Sequence, residues 1–355
     1  MKKVVVGLSG GVDSAVAALL LKREGYDVIG LFMRNWVEED ECGRCTADED
    51  YYDVRRIADA IGIDYYAEDF SEEYYDKVFK HFVEEYRKGR TPNPDVLCNR
   101  EIKFDVFASF ARAMGADYVA TGHYAAVRHG ERHLLLRAQD ENKDQTYFLN
   151  QVTERQIENA LFPLGDLKKG EVREIARQAG IPVWEKKDST GICFIGERNF
   201  RKFLSEYIPM QPGDIVTPDG TVVGRHQGVY YYTIGQRKGL GVGGGGTGEP
   251  WFVLDKDVKS NRLIVTQGEP EALFSRSLTV DRFHFISEEL PEGESRVLAR
   301  IRHRQPLQEA TALREGERVV VTFDKPQRAV AEGQYAVLYQ DRVCLGGGVI
   351  ESKNN

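Results

Sequence analysis

At 355 residues, with 41% hydrophobic and 29% charged content, the chain reads as a soluble globular protein of two or three domains. The apolar run Ala15 to Leu21 is far too short for a membrane span, and Lys2-Lys3 leads into a strand without a signal-peptide pattern, so a cytoplasmic chain with no membrane partner is expected. A net charge of −8 argues against a uniformly nucleic-acid-binding surface, although steering depends on local patches. Five scattered cysteines do not make a disulfide scaffold; in a reducing compartment each is buried filler or chemistry.

Val4-Val5-Val6 predicts a short buried strand, and residues 14–24 a helix closed by Gly25. "DVIGLFM" is a second strand, residues 50–61 a helix and "DYYAEDF" a third strand. "SEEYYDKVFKHFVEEYRKG" is an amphipathic helix capped at Ser71 and stopped by Gly89. A helix over about 101–114 leads into the strand "DYVATGHYA". The alternation predicts a doubly wound parallel α/β sheet, with a ligand at the carboxyl ends of its strands. Near residue 205 the pattern changes to β-branched and aromatic runs broken by Pro-Gly, Asp-Gly and a mobile glycine cluster at 241–248. From about 275, short strands at regular spacing predict a small closed β-barrel. Three domains are expected: 1–204 catalytic, 205–274 β-rich and 275–355 the barrel.

The loop Gly7-Leu8-Ser9-Gly10-Gly11-Val12-Asp13-Ser14 sits where strand gives way to helix. Gly10 and Gly11 allow close approach of an anion, the helix end offers N–H groups, and Ser9 and Ser14 add hydroxyl donors. No lysine of the GxxxxGK[ST] kind follows, and Asp13 is out of place in a phosphate cradle unless Mg²⁺ or an amide engages it. Ser-Gly-Gly-Val-Asp-Ser after a first strand resembles the pyrophosphatase loop of ATP-adenylating enzymes. The resemblance implies the adenine-nucleotide α-hydrolase type of fold and ATP as cofactor, with Mg²⁺. It also implies cleavage between the α- and β-phosphates, which accounts for the missing lysine. Met33 and Gly122 match ribose-side and adenine-side positions of that superfamily.

Cys98 lies in "GRTPNPDVLCNREIKF", just ahead of the expected helix, where a helix N-terminus and nearby Arg100 and Lys103 are expected to lower its pKa. Cys193 lies in "DSTGICFIGERNF", a Ser/Thr/Gly-rich loop that is a poor place for filler. Together with "TPNPDVLCN", "ATGHYA", "KDQTYFL", "TIGQRKGLG" and "CLGGGVI", these stretches resemble the tRNA-specific 2-thiouridylase family over essentially the whole chain. The resemblance implies ATP-dependent 2-thiolation of the wobble uridine of tRNA, of the Lys, Glu and Gln type, with sulfur from a carrier protein or cysteine desulfurase. It implies that Cys193 accepts sulfur as a persulfide, that Cys98 is the catalytic thiol, and that a Cys98–Cys193 disulfide results. Asp95 becomes the general acid/base candidate, and Asn93, Pro94 and Asp95 contact the flipped base. Lys143, Asp144, Gln145, Arg302 and His303 match tRNA-contacting positions, and the basic stretch "RIRHRQ" is expected to meet phosphate.

Cys42-x-x-Cys45 is one pair without a second and is not assigned a metal, and Cys344 is read as barrel core. An iron–sulfur cluster on Cys98 and Cys193 is an alternative within the same activity. A ligase of the same ATP fold acting on a small molecule would need neither paired cysteines nor an appended barrel. A non-catalytic RNA-binding protein would need no acidic and thiol groups in these loops.

Overall fold

The structure is a computed structural model, described here over residues 1–36, 46–188, 200–243 and 246–354. Strands β1 (Lys3–Gly7), β2 (Asp27–Arg34), β3 (Asp64–Asp69) and β4 (Tyr118–Ala120) enter one sheet. β5 (Ala125–Arg128) and β6 (Leu134–Arg137) leave it, and β7 (Ala160–Leu161) returns. The sheet order is β3-β2-β1-β4-β7 and every pairing in it is parallel, as the alternation of strand and helix required. β1 buries Val4, Val5 and Val6 completely. One face packs helix α1 (Val12–Arg23) and the helix Thr46–Ile61; the other packs the helices 71–87 and 94–113.

Four local expectations change. α1 begins at Val12, two residues earlier than expected. The helix 71–87 is capped by Asp69, whose Oδ1 accepts from the Ser71 N–H at 2.9 Å, and Ser71 is its first residue. The helix expected at 101–114 begins at Pro94, runs through a widened π-helical stretch at Cys98–Val106, and ends at Ala113. Proline at the first helical position, with Asn93 accepting from the Asp95 N–H at 3.2 Å, explains the early start. "DYVATGHYA" is not one strand. It breaks at Thr121–Tyr124, because Gly122 presses on α1: a Cβ there would stand 2.6 Å from the Ser14 nitrogen.

Downstream, four strands order as 251–257, 262–267, 213–216 and 222–226. The C-terminal strands form an antiparallel sheet of ten, two of which are β5 and β6: Val343 registers with Leu136. The catalytic part of the chain therefore lends a hairpin to the last domain. Cys344 is buried in this sheet, as expected. Residues 244 and 245 of the glycine-rich loop lie outside the described residues.

Candidate active site

β1 stops at Gly7 and α1 starts at Val12, so Leu8 to Gly11 form a tight turn at the carboxyl end of the central strand. Gly10 has φ of 72°, and a Cβ there would lie 2.7 Å from the Asp50 carbonyl oxygen. The turn is thus wedged between residue 50 on one side and Gly122 on the other. Ser14 Oγ donates to the Gly11 carbonyl at 3.1 Å and accepts from the Ser9 N–H at 3.2 Å, fixing the curve of the loop. Gly11 at the N-cap has no side chain to occupy the first-turn N–H groups, which leaves the positive end of α1 for an anion. Met33 closes one side of the loop, its methyl 3.2 Å from where a Gly7 Cβ would sit.

Asp13 is engaged by two side chains from far along the chain. Lys169 Nζ donates to both of its oxygens at 2.8 Å, and the Tyr124 hydroxyl donates to Oδ1 at 2.9 Å. Burial and the adjoining Asp13 charge push the Tyr124 phenol up, so it remains a donor. Lys169 also pairs with Asp188 at 2.7 Å, and Asp188 further holds Lys143 at 2.5 Å and Arg173 at 3.0 Å. Burial works to raise the Asp188 pKa, but Lys143 and Lys169 outweigh it and hold the carboxyl at about 2. Two carboxylates thus share three cations at the mouth of the loop. Behind the loop, Lys186 ties Asp50 and Asp53 at 2.8 and 2.9 Å and reaches the Gly10 carbonyl at 3.3 Å. Lys169, Tyr124, Asp188 and Lys186 were not found from sequence. Their signal was the excess acid at Asp13, which demanded a partner from far along the chain.

Cys98 lies in the second turn of the helix 94–113, three residues after Asp95 and so on the same face. The expected lowering of its pKa is overturned. The thiol is 1% exposed, burial pushes it up to about 11, Lys103 opposes this and Asp95 adds to it. Arg100 is exposed, pairs with Glu101 at 3.0 Å, and takes no part. Burial first, and Lys103 second, push the His123 imidazole well down, and its Nδ1 lies 2.7 Å from Thr121 Oγ1. One lysine therefore acts on both the thiol and the residue after Gly122. The stretch leading into this helix is clamped by the C-terminal domain: the Thr91 N–H donates to the Glu332 carbonyl at 2.9 Å, and Gln334 Nε2 donates to the Thr91 carbonyl at 2.6 Å. Cys193 and the Cys42/Cys45 pair lie outside the described residues.

The basic stretch expected to face phosphate is largely turned inward. Arg300 is 4% exposed and donates to Asp144 Oδ2 at 3.0 Å; the Asp144 side chain is fully buried and also accepts from Thr146 Oγ1. Arg302 Nη2 donates to the Ala329 and Ile234 carbonyls at 2.7 and 3.4 Å. His303 lies over Phe148 with ring centroids 4.3 Å apart. Gln145 Oε1 accepts from the Tyr124 N–H at 2.9 Å, and only Arg304 of this stretch's arginines is exposed.

Residues 2–197 match a family described as the tRNA methyl transferase HUP domain. Residues 201–267 match the tRNA methyl transferase PRC-barrel domain, and residues 275–350 the aminomethyltransferase beta-barrel domain. Two relatives named tRNA-specific 2-thiouridylase MnmA resemble the chain throughout. That of Alkaliphilus oremlandii is 56% identical over 98% of this chain and 97% of its own length. That of Streptococcus sanguinis is 55% identical over 98% and 95%. With likeness at that level over nearly the full length of each, the chain belongs to the tRNA-specific 2-thiouridylase family.

Proposed function

We propose that the chain is an ATP-dependent tRNA sulfurtransferase that converts the wobble uridine to 2-thiouridine. The observation that carries this is a junction of two sites. Gly122 packs on the anion loop, its neighbour His123 feels Lys103, and Lys103 feels the Cys98 thiol. The same helix presses Phe107 toward Gly7, 3.7 Å from where its Cβ would sit. A nucleotide on the loop and a base at the thiol would lie on either side of this seam.

In the proposed sequence the uracil oxygen at carbon 2 attacks the α-phosphorus of ATP and pyrophosphate leaves. The terminal sulfur of a Cys193 persulfide attacks carbon 2 and AMP leaves, carrying the oxygen. Cys98 then attacks the Cys193 sulfur, forming a Cys98–Cys193 disulfide and freeing 2-thiouridine; an external thiol reductant supplies two electrons to reopen it. Cys98 is protonated at neutral pH, so it must surrender its proton as it attacks, and Asp95 on the same helical face is the candidate acceptor. Asn93, Pro94 and Asp95 are assigned to the flipped base. Gly7 to Ser14, Met33 and Gly122 are assigned to ATP. The boundaries 1–204, 205–274 and 275–355 are part of this reading, as are a cytoplasmic location and a sulfur carrier or cysteine desulfurase as donor. The alternative small-molecule ligase has no use for a thiol beside a nucleotide loop.

Mg²⁺ finds no cage among the described residues. Among the described residues no three acidic, histidine or cysteine side chains could hold a metal, and both oxygens of Asp13 are taken by Lys169. With these residues the ion would fit as a companion of the ATP phosphates, and no step is assigned to it. Turnover with α-labelled ATP and unmodified tRNA tests the reading. Labelled AMP and a thiolated nucleoside by mass spectrometry are expected; labelled ADP as the main product overturns it.

A further inference from the structure

"TIGQRKGLG", residues 233–241, has a defined shape but no role in the chemistry above. Its turn is unusually well tied. The Gly235 N–H donates to the Val253 carbonyl at 2.7 Å, and the Val253 N–H donates to the Gln236 carbonyl at 3.0 Å. Gln236 Oε1 accepts from the Thr233 N–H at 3.0 Å, while its Nε2 donates to the Lys238 carbonyl at 2.9 Å. Gly235 and Gly239 hold φ of 80° and 75°, and a Cβ at Gly235 would strike Ala329 at 2.5 Å. Arg201, on the helix Phe200–Tyr207, donates to the Gly239 carbonyl at 3.2 Å. Arg302 grips the Ile234 carbonyl from the C-terminal domain.

At the tip of this frame stand Arg237 and Lys238, adjacent, exposed, and without an ion pair among the described residues. The chain carries an excess of eight acidic charges, and Lys143, Lys169, Arg173 and Arg300 are each matched to a carboxylate. Two unmatched neighbouring cations on a turn fixed by these six hydrogen bonds are poorly explained as a solvated loop. A chain of contacts joins the turn to the thiol helix. Asn99 Nδ2 donates to the Phe148 carbonyl at 3.0 Å, the Phe148 ring packs tilted against His303, and the adjacent Arg302 holds the turn.

We infer that the 233–239 turn is a contact for the tRNA backbone, with Arg237 and Lys238 on phosphates and Arg302 acting from behind as a positioning residue. The inference rests on the tRNA reading above and assigns to the turn the phosphate contact that sequence alone assigned to Arg302. Planar guanidinium and mobile ammonium side by side can engage successive phosphates, and such contacts supply most of the salt-sensitive part of binding.

Filter binding of unmodified tRNA across a range of salt concentrations tests it. Each lost phosphate contact removes roughly 0.7 to 0.9 from the log–log slope, so Arg237→Ala/Lys238→Ala should flatten it by about 1.4 to 1.8 units. At ~0.1 M salt the same arithmetic gives roughly a 25- to 60-fold loss of affinity. Arg302→Met should weaken binding while shifting the slope by less than about half a unit. A wild-type slope in the double variant, or a full unit lost in Arg302→Met alone, overturns the inference and leaves the tRNA reading standing. A wild-type enzyme that does not bind tRNA at all would sink both.

Discussion

Lys169→Met is the perturbation that best tests how the loop tolerates an acid beside an anion. Lys169 is 13% exposed and Asp13 31%, with both Asp13 oxygens 2.8 Å from Nζ. Two unit charges about 4 Å apart attract by about 4 kcal/mol at an effective dielectric of about 20. Desolvation and side-chain ordering take back most of that, leaving about 1 to 2 kcal/mol. The larger effect is on ATP. Without the ammonium, Asp13 keeps only the Tyr124 hydroxyl and faces the phosphates as a bare carboxylate. A repulsion of about 2 kcal/mol corresponds to roughly a thirtyfold rise in the Kd for ATP. Asp13→Asn/Lys169→Met removes both charges and should return ATP affinity to within about threefold of wild type. Isothermal titration with ATP and, in parallel, AMP supplies the measurement; AMP binding should change little. If the double variant is as weak as Lys169→Met, Lys169 does not act by neutralising Asp13. If Lys169→Met binds ATP normally, the electrostatic account of the loop fails altogether.

Cys98 should react slowly with iodoacetamide at neutral pH, and its alkylation, followed by peptide mass spectrometry, should keep rising toward about pH 11; a plateau near the ordinary thiol value of about 8.5 would contradict its burial. Arg300→Met leaves the fully buried Asp144 with the Thr146 and Ala138 hydrogen bonds and Arg137 at 3.9 Å, and should cost about 3 kcal/mol in urea unfolding. Adding Asp144→Asn should recover part of that loss, whereas no loss in the single variant would mean the pair contributes little.

The parallel sheet was legible because its strands are continuous apolar runs separated by amphipathic helices, and the loop because a glycine turn between strand and helix has few other uses. What sequence hid was distance. Lys169 stands 156 positions from Asp13 and Arg300 the same distance from Asp144, and neither pairing leaves a local pattern. Cys98 misled for a different reason. Its neighbours suggested a helix N-terminus, but Pro94 and the Asn93 cap start the helix four residues before the thiol and carry it inward. "RIRHRQ" misled because charge composition is silent on orientation: only Arg300 lies in a strand, where it pairs with buried Asp144, and in the turn that follows Arg302 is spent on backbone carbonyls.

The hairpin β5–β6 binds the fate of the two ends of the chain together. Leu136 pairs with Val343 in register, and the Arg137 N–H donates to the Arg342 carbonyl at 2.8 Å. During synthesis this ribbon emerges long before its partner strand, and until residues 342–343 arrive its outer edge is an open template for other chains. A version shortened after the nucleotide domain would keep that edge exposed for good, and should gather into aggregates even where its own sheet is sound. Recombination that swapped the last domain for a foreign one would meet the same obstacle, since the newcomer would have to offer a strand matched to this ribbon. The modules of this enzyme can therefore be told apart on paper more easily than they can be traded.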